Sequence, residues 1–319
     1  MQMTGMQIQS AVIKDILTGI LLYMLMIAGM YMIPLTGVVA WLFLPLPVLF
    51  YRLKTGRKGG IIIMLSSLAI LMLVTRNIAM VTLYFGSLLM TGFVLGECIE
   101  NHFPIGKIMP VTCLIVFGSC LLGVFLYSVS SGREIQQLMS GYISNYYTVS
   151  GEFFSELEHL YPEMNLDRQM FEKENSVILL AAPGIFINSY LMMLWLNILL
   201  MKKILLKKGI IVKTIENLNR WKAPHVLVFG LIAVSVLIFF ASGALKIISI
   251  NILIILLFVY FFQGIAVVSF FFQKKRAPFA VRFFFYLLIA ILPQFLLLVI
   301  GCGLFDTWIN FRKLDAATS

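Results

Sequence analysis

Residues 247–272 read IISINILIILLFVYFFQGIAVVSFFF, without one charged side chain. About 20 apolar residues in a helix cross the ~30 Å hydrocarbon core of a bilayer. This stretch exceeds that length, and its apolar residues do not alternate with polar ones as they do in a half-buried strand. Inside lipid every backbone N–H and C=O needs a partner, which a helix supplies from within itself. The run therefore predicts a transmembrane helix, bounded by Lys246 on one side and by QKKR on the other.

Comparable runs recur at 16–32, 38–51, 60–74, 78–95, 108–129, 177–201, 226–241 and 283–305. Apolar residues make up 61% of the 319 and charged residues 12%, against about 45–50% and about 25% in soluble proteins. No water-soluble core could take up so much hydrocarbon. The expected fold class is all-α, a polytopic transmembrane helical bundle of about nine spans. The count is eight if the second run does not cross. That run carries Pro45 and Pro47 in FLPLPVLF. Each proline removes an amide donor and obstructs the preceding turn. A broken or tilted helix is expected there, its freed carbonyls satisfied by neighbours or by a cavity. The first run has no small-residue cleavage pattern after it and is long enough to stay as an anchor.

Most of the 24 lysines and arginines fall in YRLKTGRKGG (51–60), in residues 201–224 and in QKKRAPFAVR (273–282). The positive-inside rule places such loops in the cytoplasm. With nine spans the N-terminus is then inside and the C-terminus outside. The same placement argues against nucleic acid as the reason for the net charge of +10. The lipid bilayer is the expected partner. Anionic headgroups can also bind these loops, with about 1 kcal/mol per cation near the surface.

Residues 130–176 are too long for a simple connection. They carry Glu134, Glu152, Glu156, Glu158, Glu163, Asp167, Glu172 and Glu174. Apolar stripes over 135–146 and 153–161 predict two amphipathic helices, separated at Ser150-Gly151. They either lie on the headgroups or cover the mouth of the bundle. The expected organisation is a five-span bundle over 1–129, an extracytoplasmic acidic loop over 130–176 and a four-span bundle over 177–319.

Catalytic motifs are missing from the sequence: no HExxH, GxSxG or phosphate-binding glycine loop occurs. His102, His159 and His225 stand apart, and Cys98, Cys113, Cys120 and Cys302 form no CxxC. Free cysteine packs as a small apolar residue. No catalytic residue, metal or cofactor is expected, and the chain is not read as an enzyme. Glu97 and Glu100 are three apart and share a helix face. Their ordinary reading is interfacial, with metal or proton handling as the alternative. Arg76 can snorkel to the outer surface or contact a substrate anion.

Side-chain amides within spans are the main candidates for a site: Asn188, Asn197, Gln263 and Gln294, with Asn251 nearby. Amides in a bundle usually bond across helices, at about 0.6–2 kcal/mol each. The alternative is convergence on a polar cavity that binds a small molecule. Gln263 precedes Gly264 and Gln294 follows Pro293, so these two are the best placed to line an irregular interior. The last run ends on GLFDTWINFRK (303–313). Tryptophan and cations are expected where a helix leaves the membrane. Asp306 and Arg312 are six apart, too far for a pair along one helix. They are expected instead to cap or bridge neighbouring helix ends on the outer side.

Three stretches, FLPLPVLFYRLKTGRKGG, WLNILLMKKILLKKG with RWKAPHVLV, and YFFQGIAVV with GLFDTWINFRK, resemble the YybS-like family of uncharacterised bacterial membrane proteins. The likeness runs from about residue 10 to 313 and leaves out the outer loop. The terminal box of Asp306, Trp308, Phe311 and Arg312 is its most specific part, and its recurrence in that family implies a structural or interface role. The first half is also similar to the substrate-binding subunits of energy-coupling-factor vitamin transporters, which implies a helical bundle with a small-molecule pocket. Those subunits dock on a partner through a small-xxx-small face, whereas the first span here has Gly19 and Ala28-Gly29 without AxxxA. The resulting expectation is a transport-related, small-molecule-binding or translocation subunit of the bacterial cytoplasmic membrane, with a membrane partner subunit as a candidate partner. The alternative is a non-catalytic scaffold; relatives of the same fold include rod-shape proteins that only scaffold others.

Overall fold

The computed structural model describes residues 5–32, 34–75, 81–132, 134–161, 163, 167–208, 215 and 218–313. These residues are helical, with no strand among them. In chain order the helices are α1 (Gly5–Met32), α2 (Pro34–Phe43), α3 (Pro45–Thr75), a π-helical turn (Val81–Phe85), α4 (Gly86–Glu100) and α5 (Ile105–Ser131). There follow α6 (Ile135–Leu160), α7 (Arg168–Lys207), a 3₁₀ turn (Leu218–Arg220), α8 (Val226–Phe240), α9 (Gly243–Lys274), α10 (Phe279–Ile291) and α11 (Pro293–Ile309).

Six helical stretches among the described residues are long and apolar enough to cross a membrane, and seven if α10 and α11 count as one bent span. The count corrects the expected nine or eight. The runs at 38–51 and 60–74 count there as one stretch, Val39–Thr75, although Gly56 breaks it into two arms. The run at 226–241 forms a helix of only 15 residues, about 22 Å long and short of a ~30 Å core. The last run is broken by a bend of 106° between Ile291 and Pro293. The long apolar helices present hydrocarbon outward: Leu73, Leu114, Phe239 and Phe283 are all exposed. In a bilayer that is the surface presented to lipid.

The chain divides into two compact units. The first comprises Met1–Ile135 and Tyr190–Glu216. Within it α3 loses its helical geometry at Gly56 (φ 79°, ψ −177°), a conformation open essentially to glycine alone. The packing shows that the chain doubles back there. Tyr51 and Ile63 both meet Gly19 on α1, and Arg52 lies against Gly60. The arm before Gly56 packs its Pro45, Val48 and Leu49 on Gly92 and its Leu49 and Arg52 on Gly96. The arm after Gly56 meets α4 in the opposite order, Gly60 at Phe93 and Leu68 at Gly86. Glycines on the α4 face permit this close approach.

The second unit comprises Gln136–Ser189 and Asn217–Ser319. Its acidic segment forms one continuous helix, α6, through Ser150-Gly151, not the expected two. Phe154 is buried against Phe171 of α7, and Tyr146 Oη donates to Asn175 Oδ1 at 3.2 Å. Helix α9 is the spine of this unit. Helix α8 returns along its first half through the turn at Ala241-Ser242. Helix α11 runs antiparallel to its second half, Gly264 facing Val299 and Gly303 facing Tyr260 in backbone-to-backbone contact. The 15 and 17 residues of α8 and α11 together match the 32 of α9. The two short helices thus lie end to end on one long one.

Candidate functional site

Where α11 ends and α8 begins, the polar groups of the second unit converge. Helix α11 stops at Ile309, and Asn310 takes a left-handed conformation (φ 49°, ψ 55°). That turn folds Arg312 back onto the helix it has just left. Its Nη2 donates to Asp306 Oδ2 at 2.7 Å, and both side chains are fully buried. Its Nη1 donates to the backbone carbonyls of Asn219 at 2.7 Å and Trp221 at 2.9 Å. Gln263 of α9 completes the node. Its Nε2 donates to Asp306 Oδ2 at 3.1 Å, and its Oε1 accepts from the Ala223 N–H at 3.0 Å. Around it lies an apolar jacket of Val228, Leu231, Tyr260, Ile300 and Leu304.

The sequence reading has Asp306 and Arg312 cap or bridge neighbouring helix ends. Asp306 and Arg312 pair directly, because the helix that would have kept them apart ends between them. The bridging is present as well, but its partners are Asn219 and Trp221, within the basic 201–224 loop. The C-terminal box therefore meets residues 219–221. Trp308 is exposed on the apolar outside.

The other sequence candidates are held apart from this node. Asn197, in the first unit, is buried and donates to Leu42 O at 2.7 Å and Met193 O at 2.8 Å. Leu42 lies at the break between α2 and α3, just before Pro45, so the amide serves a carbonyl at the interrupted helix end. In the second unit Asn188 donates to Ile254 O at 3.0 Å. Asn251 does more: its Oδ1 accepts from the Gly184 N–H at 2.6 Å, and its Nδ2 donates to Leu180 O at 2.8 Å. Those two backbone groups would bond each other in a regular helix. Pro183 disturbs that turn of α7, and the Asn251 amide bridges the gap. Gln294 is exposed in the first turn of α11. Arg76 lies outside the described residues. An open hollow of about 450 Å³ in the second unit is lined by Met170, Lys173, Val177 and Ile178, none of them a sequence candidate.

A second buried charge went unrecognised in the sequence. Arg52, counted there as a loop cation, has a fully buried side chain. It donates to Glu97 at 2.7 Å and to Glu100, lies 5.6 Å from the centre of the Phe93 ring, and has its stem cradled by Gly60 and Gly96. Arg57 stands 3.7 Å from Glu97. The available signal was the spacing of Gly92, Gly96 and Glu100, four apart on one face of α4, with Glu97 beside them. It marks a helix face cleared for a long side chain. Glu97 and Glu100 keep 29% and 54% of their side-chain surface, so this cluster opens to solvent whereas the Asp306 node does not. Among the described residues no three His, Cys, Asp or Glu side chains gather as a metal site would require.

A family model described as "Predicted membrane protein (DUF2232)" matches residues 20–307. The chain belongs to this family. The match takes in both units, from α1 to the Asp306 end of α11, and with the apolar helices it makes this a multi-pass membrane protein. No curated protein and no solved structure matches the chain.

Proposed function

We propose that this DUF2232 protein is a non-catalytic, transport-related subunit of the bacterial cytoplasmic membrane. One observation carries the reading: two short helices meet end to end on a buried ion pair against the long helix α9. Gln263 lies roughly 16 Å along α9 from Lys274 at about 1.5 Å per residue. Half of a ~30 Å core is about 15 Å. With Lys274 at the surface, Gln263 sits near mid-depth, while Asn219, which also bonds Gln273, carries the node toward the basic end of α9. Charge there is expensive and marks ion or substrate pathways, and interrupted helices meeting at mid-depth are the usual way transporters build such sites. The likeness of the first half to energy-coupling-factor substrate-binding subunits supports the same reading. By the positive-inside rule the basic loops face the cytoplasm, where anionic headgroups or a partner subunit can meet them.

The scaffold reading is the alternative, and the amides favour it: Asn188, Asn197 and Asn251 are committed to backbone groups at helix contacts and breaks. A thermal-shift screen of small solutes and ions on the detergent-purified chain separates the two. Transport-related binding is expected to raise the melting temperature of the native chain with some solute and not that of Gln263→Ala. A stoichiometric co-purifying protein together with no solute response would overturn it in favour of the scaffold.

A further inference from the structure

We propose that the buried node is a site for a small monovalent cation and that Arg312 is its tethered occupant. The idea rests on the transport-related reading above for the cation's purpose, but its geometry stands alone. The Arg312 guanidinium is held by oxygens only: the Asp306 carboxylate and the carbonyls of Asn219 and Trp221. Trp221 lies in the non-helical stretch before α8 and Asn219 in a 3₁₀ turn, so these carbonyls point into the node instead of closing a long helix. Unwound carbonyls of this kind hold cations where membrane helices are interrupted.

The cage also has more oxygen than Arg312 uses. Asp306 Oδ1 is buried without a hydrogen-bond partner among the described residues. The end of α11 adds the negative end of its helix dipole. One carboxylate with neutral oxygens suits a hard, singly charged ion, whereas divalent sites recruit several carboxylates. Arg312 itself is not part of a helix. It reaches the cage from the turn 310–313, where Asn310 and Lys313 both have positive φ (49° and 50°), the first in the left-handed conformation in which asparagine commonly ends a helix. The plug therefore hangs on a short turn outside any helix, closed by the Asn310 N–H on Asp306 O at 3.2 Å and the Lys313 N–H on Asn310 O at 2.9 Å. Release of the turn would leave a net negative, oxygen-lined cage open to an external cation.

The test uses Arg312→Ala in the full chain, with melting followed in sodium, potassium, guanidinium or choline chloride at one ionic strength and below denaturing concentrations. The variant is expected to gain several degrees, saturably, with guanidinium or an alkali ion and nothing with choline. The native chain and Asp306→Asn/Arg312→Ala are expected not to respond. The arm that acts tells a guanidinium-like ligand from an inorganic one. Equal response to choline, no response, or a response kept in the double variant would overturn the proposal. If Arg312→Ala does not fold alone, cell-free synthesis into nanodiscs gives the same comparison: folded yield restored by a small cation and not by choline supports the site, and no restoration overturns it. Failure here would leave the solute screen of the native chain untouched, so the two ideas fail separately.

Discussion

Three polar side chains show how differently this chain treats polarity in lipid. Asn251 replaces a backbone bond that Pro183 disturbs, so Asn251→Ala is expected to cost about 1–2 kcal/mol in detergent melting. Ser189→Ala is the control, because that exposed hydroxyl only returns to Ile185 O of its own helix; a change within about 0.5 kcal/mol is expected. Arg52 and Arg312 are both buried, yet their partners differ. Glu97 and Glu100 reach solvent when Arg52 is gone, while Asp306 would be sealed as a lone charge. Stranding a buried charge costs about 3–5 kcal/mol. Arg312→Met is therefore expected to destabilise by at least about 2 kcal/mol more than Arg52→Met, read from denaturant or thermal melts of the two variants. The sequence pointed to Asp306, Arg312 and Gln263 by type, since ionisable and amide groups are rare in the runs. It did not show their union, because that depends on a helix ending at Ile309 and on the backbone of residues 219–223, which leave no mark in side-chain pattern.

Glycine decides two of the element contacts. A side chain on Gly303 would meet Tyr260 O and the Gly264 N–H, and one on Gly264 would meet Val299 O. Gly301, on the same helix, has open space around its α-carbon. Gly303→Val is expected to lose most folded protein in size-exclusion chromatography, while Gly301→Val keeps it. Gly56→Ala meets no neighbour but forces alanine into a glycine-only conformation, at about 1–3 kcal/mol. At this scale the apolar runs were legible because lipid filters out every alternative to the helix. The reversal at Gly56 was half legible: a basic turn was expected between two runs, but its contraction to one residue was not. The 106° break before Pro293 was missed because hydrophobicity continues across it without a change in composition.

For the whole molecule, membership in the DUF2232 family and the apolar helices make a multi-pass membrane protein, and α9 gives its surest crossing. Cysteine at position 246 and cysteine at position 275, in a background freed of the four native cysteines, are expected to react with impermeant maleimide from opposite sides of the membrane. Labelling from one side would remove α9 as a span and the depth given to Gln263 with it. The central claim concerns what lies along that helix, the sealed pair at the meeting of α8 and α11. A double-mutant cycle of Asp306→Asn and Arg312→Gln, read by unfolding in detergent, tests it most directly. A coupling of about 2 kcal/mol or more is expected, the double variant being far less damaged than the two single effects combined. Additivity within about 0.5 kcal/mol would contradict the pairing and the site built on it.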